Sequence, residues 1–368
     1  MTSRRALLLG LAGVTVGAAA GCSLPSAALP DIQVPPEQAG LAQSLRDLGG
    51  LEGLEDAARE EGELVLGGVT YRTLGYQQLV REFVKQYKLR VDVTPGLTDL
   101  GRPPDAVHLA PAQYWDPPIR LAPYFSDRFA RVLPRNKDAG GLWVNDYAGV
   151  MTMGYDPALD VSLDDPRSLL APELKGRVAL AGDPVTSGEG QFAVLLMNAL
   201  RGGASGDVSA GIEFLRELHE AGTLSGELAT TGSVRAGRHQ VVFGWSYTQL
   251  ALGGAMRASG GSWAWQAWEP ALLGAYYAQA VVADAPHPAA ARLWQEFVFG
   301  NVAQNIWLQE GATPVLFSFL SSDGRLETAE VDPPVFPSPP VFPGRDTVLG
   351  TARTLAEDSW LTSQRWGA

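Results

Sequence analysis

The chain has 368 residues, 46% hydrophobic and 18% charged, a composition that suits a globular protein of about two domains and argues against a disordered one. A formal net charge of −12 argues against nucleic acid as a partner, because phosphate binding needs a basic footprint. The single cysteine, Cys22, rules out an intramolecular disulfide.

The N-terminus reads as an address. Ser3-Arg4-Arg5 precedes an apolar run from Ala6 to Ala20, the n-region and h-region of an export signal over residues 1–21. The run is shorter than the roughly 20 residues of a membrane span. The arginine pair leaves both the general and the twin-arginine export routes open. Ala19-Ala20-Gly21-Cys22 resembles a lipobox, with Ala19 where leucine is usual, and makes Cys22 the expected lipidation site. Removing residues 1–21 takes Arg4 and Arg5 and moves the net charge from −12 to −14. Residues 22–44 are rich in proline and alanine and read as a tether.

Leu51 to Glu61 is an amphipathic helix closed by Gly62, and Glu63 to Gly67 a first strand. Tyr76 to Tyr87 is a helix with Leu79, Phe83 and Val84 inward, and Leu89 to Val93 a second strand. Pro104 to Leu109 is a third, with Ala110 to Tyr114 as its outgoing loop. Ligands of open α/β sheets sit beyond the carboxyl ends of strands, which makes Tyr71, Arg72 and Tyr114 candidate contacts. His108, inside an apolar strand, reads as a satisfied core histidine.

Trp143 to Tyr155 is a long strand. In KGRVALAGDPVTSGEGQFAVLLMNALRGG, Lys175 to Gly203, a strand ends at Gly182-Asp183-Pro184 and a helix runs from Gln191 to Leu200. Thr186 and Ser187 offer N-cap hydroxyls, and Gly188 and Gly190 leave backbone amides uncovered at a helix N-terminus. Ser187 and Glu189 are therefore candidate ligand contacts. Val208 to Ala221 is a further helix, and Gln240 to Phe243 a strand leaving through Gly244-Trp245-Ser246-Tyr247. SWAWQAWE, Ser262 to Glu269, puts Trp263 and Trp265 on one strand face and follows with Trp268-Glu269. Tryptophans beside a carboxylate suit an organic cation, while packing in the core is the alternative for the same residues. Gly274 to Ala283 is a return strand, followed by helices Ala289 to Phe299 and Asn301 to Gln309. PPVFPS and PPVFPG, within Asp332 to Gly344, form a proline-rich connector, and Thr347 to Trp366 a last helix expected against the first lobe.

Two lines carry a resemblance. KGRVAL…DPVTSG and APHPAA…FVFG…QNIWLQEGATPV are similar to sequences of the extracellular solute-binding proteins of ABC importers, of the branch serving ferric iron, thiamine, phosphonates and polyamines. The resemblance covers residues 50 to 318 and implies an α/β, two-lobed type II periplasmic-binding-protein fold. Each lobe would be a mixed sheet flanked by helices, and two hinge crossings would join them. It implies a first lobe of 45–153 plus 278–368 and a second of 154–277. It also implies a monomeric, non-enzymatic protein that needs no cofactor. Such a protein is held by lipid at the outer face of the membrane and hands a small solute to a permease and its ATPase. It places ligand contacts at Trp245 and Tyr247. Ferric relatives carry an adjacent tyrosine pair at that loop, where this chain has Ser246-Tyr247; its own adjacent pair, Tyr276-Tyr277, is in the return strand. With Trp268 and Glu269 as the cation site, a polyamine-like amine is the first expectation, followed by thiamine, phosphonate and ferric complexes. An exported enzyme on the same scaffold and a sensor that lost transport are the competing classes. The sequence holds no HExxH pair, cysteine pair, Walker loop or G-x-S-x-G elbow. Gly188-Glu189-Gly190-Gln191-Phe192-Ala193 matches G-x-G-x-x-A by chance, being too far from its strand.

Overall fold

A computed structural model of the chain describes residues 36–98, 101–268, 271–327, 336 and 338–367. The export signal, Cys22 and residues 22–35 of the tether lie outside these, as does Glu269.

The first half is built of parallel β-α-β units. Helix α1 (Gly50–Glu61) leads into β1 (Glu63–Gly67), α2 (Tyr76–Tyr87) and β2 (Arg90–Thr94), and β1 pairs in parallel with both β2 and β3 (Ala106–Leu109). On α2 the buried stripe is Tyr76, Leu79, Val80, Phe83 and Tyr87, at helical spacing, while Val84, expected inward, is 36% exposed. The short helix α3 (Pro111–Trp115) follows β3 at once, where a loop was expected; Pro111 fills its first position, which needs no N–H. A two-residue β4 (Leu121–Ala122) then precedes the twelve-residue β5 (Val144–Tyr155).

The second half repeats the scheme. Strand β6 (Val178–Leu180) is followed by α4 (Gly188–Leu200), α5 (Ser209–Glu220) and α6 (Thr231–Arg235), and then by β7 (Val241–Trp245), parallel to β6. Helix α4 is buried on every side from Gln191 to Asn198, which is why its sequence shows no polar face. Helix α7 (Ser246–Ala258) starts directly at the end of β7, and β8 (Ala264–Gln266) pairs with β5.

Strand β9 (Gly274–Val282) returns to the first sheet between β3 and β5, antiparallel to both. Helices α8 (Pro288–Val298) and α9 (Asn301–Gln309), the two-residue β10 (Thr313–Pro314) and α10 (Phe317–Ser322) follow. The strand order is β2-β1-β3-β9-β5-β7-β6, so β5 belongs to two sheets. Val144 to Val150 pair with β9, and Met151 to Tyr155 pair with β7, a change of partner ahead of the boundary expected at 153/154. Gly274 to Ala278 already pair with β5 in the first sheet, ahead of the boundary expected at 277/278.

The C-terminal segment corrects a further expectation. It forms two helices, α11 (Arg345–Glu357) and α12 (Ser359–Ser363), broken at Asp358, which caps α12 by accepting from Leu361 N at 2.9 Å. The pair does not lie on the first sheet alone. Helix α11 packs on α3 and on α4, Asp358 bonds Arg216 of α5 at 2.7 Å, and Trp360 meets His219 of α5 at 5.6 Å.

Buried polar groups tie the first half together. Arg292, 1% exposed, donates to the carbonyls of Ala42, Gly40 and Pro288 at 2.7, 2.8 and 2.9 Å. Glu61, the last residue of α1, accepts from Ala289 N and Ala290 N and so caps α8. Glu296 accepts from the Tyr124 hydroxyl at 2.7 Å and from Asp127 N at 3.1 Å, and burial pushes its carboxyl from 4.5 up to about 7.

Two predictions follow from these groups. The folded chain holds the Glu296 proton more tightly than the unfolded chain, so its contribution is complete below pH 4.5 and is lost as pH rises through about 7. Glu296→Gln should remove up to about 3 kcal/mol of that pH dependence, at about 1.4 kcal/mol per tenfold change in proton affinity, in urea unfolding at pH 5 and pH 8. A wild-type and a variant curve with the same pH slope would refute it. Arg292→Met should cost about 2–4 kcal/mol in the same assay, since three buried carbonyls lose their donors.

Candidate functional site

A cavity of about 410 Å³ opens where the two halves meet. The first half supplies Gly68, Arg72, Thr73 and Leu74 from the loop between β1 and α2, His108 from β3 and Tyr147 from β5. The second half supplies Glu189 from the first turn of α4, and Tyr247, Thr248 and Ala251 from α7; Tyr277 comes from β9. Helices α4 and α7 begin at this wall, and the loop that leads into α2 lines it. The first turn of a helix carries N–H groups with no intrahelical partner and the positive end of the dipole.

Local folding explains why these side chains converge. The register of β5 against β9 shifts between Asn145 and Ala148, a bulge that gives Asp146 and Tyr147 extra length and re-aims them. Asp146 is fully buried and accepts from Gln279 Nε2 at 2.7 Å and from Tyr147 N at 2.7 Å. Gly68 leaves β1 at φ 76°, and any Cβ there would sit 2.2 Å from the His108 carbonyl oxygen, so the loop can cross β3 only with glycine.

The cavity floor is aromatic. The His108 ring lies 5.0 Å from Tyr277 at 12° and 5.6 Å from Tyr147 at 22°, and Tyr147 lies 5.4 Å from Tyr277 at 23°. Tyr247 meets Tyr147 at 78° and 5.9 Å, and its hydroxyl faces that of Tyr277. Trp245 Nε1 donates to the Tyr277 hydroxyl at 3.1 Å. Burial raises the ionisation of Tyr147, Tyr247 and Tyr277 well above that of a free phenol, with Asp146 adding to Tyr147 and Glu189 to Tyr277, so all three are neutral phenols. His108 is buried as expected but not satisfied. Its Nε2 lies 3.3 Å from Asp146 Oδ2, within ion-pair range yet without hydrogen-bond geometry, and has no other partner.

Glu189 is held from the second half. Its Oε1 accepts from Trp245 N at 2.8 Å and from the Thr248 hydroxyl at 2.7 Å, and burial raises its carboxyl above the ordinary range in spite of both bonds.

Of the residues expected to contact ligand, Arg72, Glu189 and Tyr247 line this cavity. Trp245 is fully buried beneath it and supports Tyr277 and Glu189. Ser187 is spent as the N-cap of α4, accepting from Gly190 N at 3.0 Å and donating to the Asp183 carbonyl. The glycines beside it serve packing instead of ligand approach: a Cβ on Gly190 would meet the Asp183 carbonyl carbon at 2.3 Å, and one on Gly188 would meet Pro111 Cδ at 2.7 Å. Tyr71 is half exposed on the outer side of the loop, and Tyr114 lines a separate cavity of about 320 Å³.

The tryptophan cluster is not in the cleft. Trp263 Nε1 donates to Gln249, Trp265 faces Phe336 at 6.1 Å, and Trp268 packs on Phe243 at 6.2 Å. Glu269 lies outside the described residues. The aromatic cation site thus loses the placement it required. Sequence reasoning missed Tyr147, Thr248 and Tyr277 as cleft residues. The signal for Tyr277 was the Tyr276-Tyr277 pair, whose neighbours on one strand face opposite ways.

Among the described residues no helix is long and apolar enough to cross a membrane, and no group of three or more His, Cys, Asp or Glu side chains could hold a metal ion. No family model matches the chain, and no curated protein does. Solved structures do. The periplasmic binding protein P5PA is 18% identical with a TM-score of 0.63, covering 82% of this chain and 99% of its own. AfuA from Actinobacillus pleuropneumoniae, a periplasmic binding protein with exogenous fructose-6-phosphate bound, is 13% identical with a TM-score of 0.63, covering 83% and 99%. Iron-bound HitA from Pseudomonas aeruginosa is 18% identical with a TM-score of 0.58, covering 79% and 98%. The chain has the two-lobed α/β fold of the type II periplasmic binding proteins.

Proposed function

We propose that the protein is the solute-binding component of an ABC importer and that the 410 Å³ cleft takes a small, oxygen-rich anion, with phosphate esters as the first class to test. It performs no covalent chemistry in this reading, needs no cofactor, acts as a monomer and delivers its ligand to a permease. Residues 1–21 direct export, and Cys22 carries the lipid that holds the protein at the outer face of the membrane. The first lobe is 45–150 with 274–327, the second is 151–273, and 341–367 lies across both. Closure occurs about the partner change in β5 and the entry to β9.

One observation carries the ligand class: the balance of charge in the cleft. Arg72 is the one guanidinium of the wall, and among the described residues it makes no ion pair. The one carboxylate, Glu189, is already bonded through Oε1 to Trp245 N and Thr248, and burial raises it above the ordinary carboxylate range. An amine would have to share Glu189 with the two donors already on its Oε1, whereas an anion finds that guanidinium and the starts of α4 and α7. Neutral phenols with an aromatic floor suit the hydroxyls and ring of a sugar phosphate. AfuA, which shares the fold, holds a sugar phosphate.

Tyr147, Tyr247, Tyr277 and His108 favour a second reading, a ferric ligand, and HitA is an iron-bound neighbour. Its cost is that buried phenols must ionise against the desolvation that keeps them neutral.

Thermal shift on ligand-stripped protein should separate these. D-fructose 6-phosphate should raise the melting temperature, spermidine and thiamine should not, and Arg72→Ala should weaken phosphate-ester binding about 10- to 100-fold, the value of one charge-assisted hydrogen bond. Ferric citrate should produce no visible phenolate-to-iron absorption. A strong band that disappears in Tyr277→Phe would replace the anion reading with the ferric one. A shift with spermidine that survives Arg72→Ala would refute both.

A further inference from the structure

We infer that the 320 Å³ cavity beside α3 is a second ligand site, separate from the cleft, that takes a small aromatic carboxylate. This inference does not rest on the reading of the cleft. The two cavities lie on opposite faces of β9: Tyr276 lines this one and Tyr277 the cleft. The close approach of Pro111 to Gly188 divides them on the side of α3 and α4.

The walls are aromatic and come from both halves and the C-terminal segment. Trp115 of α3, Phe192 of α4, Tyr276 of β9 and Phe342 enclose the space. Phe342 stacks on Tyr276 at 4.9 Å and 24°. It is held there by the backbone beside it, since Val341 N donates to the Leu272 carbonyl at 2.7 Å and Gly274 N to the Val341 carbonyl at 2.9 Å. The wall formed by the C-terminal segment is therefore part of the fold and not a loose end.

The charge at the mouth is one-sided. Arg135 and Arg345 are the charged residues of the lining, and no carboxylate is among it, in a chain with 40 acidic and 28 basic residues. Among the described residues neither arginine makes an ion pair. Helix α11, thirteen residues long, begins at this wall with Arg345, which adds the positive end of its dipole. An apolar ring between aromatic walls with its carboxylate at two guanidinium groups satisfies all of these surfaces.

The test is calorimetric titration of the full mature chain with 2-naphthoate at low salt. One saturable site is expected. It should persist in Arg72→Ala, weaken about tenfold or more in Arg135→Ala/Arg345→Ala, and discriminate about tenfold against uncharged 2-naphthalenemethanol. Both arginines are exposed, so the double variant should fold, and an unchanged melting temperature confirms that it does. Absence of saturable binding at millimolar naphthoate would overturn the inference. So would equal binding in the double variant, equal binding of the alcohol, or loss of binding in Arg72→Ala, which would place the probe in the cleft.

Discussion

The structure depends on one strand. Because β5 pairs with β9 through Val150 and with β7 from Met151, one continuous, buried strand joins both sheets. A bulge in its first half interrupts the ladder between Asn145 and Ala148. The extra length presents Tyr147 to the cleft and buries Asp146 against Gln279 and His108. His108 and Tyr277 from the neighbouring strands complete the aromatic floor beside Tyr147.

Around that strand the cleft is assembled by groups that bond to one another before any ligand arrives. Trp245 reaches both Tyr277 and Glu189, and Thr248 completes the bonds to Glu189, so α4, α7 and β9 are fixed at one point. Such prior commitment lowers the ordering cost of binding, because the polar side chains are already held by partners. It is also the basis for proposing an anion, since the two donors on Glu189 Oε1 compete with a cation for that carboxylate. Beside these bonds the cavity wall offers a ligand Arg72, the faces of neutral phenols and the starts of α4 and α7.

Much of the architecture was legible from local signals. Gly62 after an amphipathic run, a short apolar strand before Gly182-Asp183-Pro184, and Pro288 at the start of α8 mark boundaries through backbone chemistry that acts within a few residues. The two-lobed fold followed from KGRVAL and the line ending in Pro314-Val315, and shared fold with periplasmic binding proteins agrees with it. The site was legible only in part. Arg72, Glu189 and Tyr247 sit just beyond strand ends, where an open sheet presents its ligand-facing edge. Tyr277 and Tyr147 sit inside strands and reach the cleft through alternation and a bulge, neither of which leaves a mark in composition. The tryptophans of SWAWQAWE misled because aromatic richness is the same for a core wall and a cation site, and β8 lies against Met153 to Tyr155, away from the bulge. The C-terminal helix was placed on the first lobe alone, whereas α11 packs on both α3 and α4 and the break at Asp358 turns the last residues onto α5, where Asp358 meets Arg216.

The central claim is that the two halves close about β5 and β9 on a ligand held between them. It is tested most directly by the distance across the cleft. Spin labels at Arg81→Cys on α2 and Arg257→Cys on α7, in a chain with Cys22→Ser, report that distance by pulsed electron resonance. The account predicts a broad distribution in ligand-stripped protein that collapses to a single shorter distance at saturating D-fructose 6-phosphate. An unchanged distribution at saturation would contradict it.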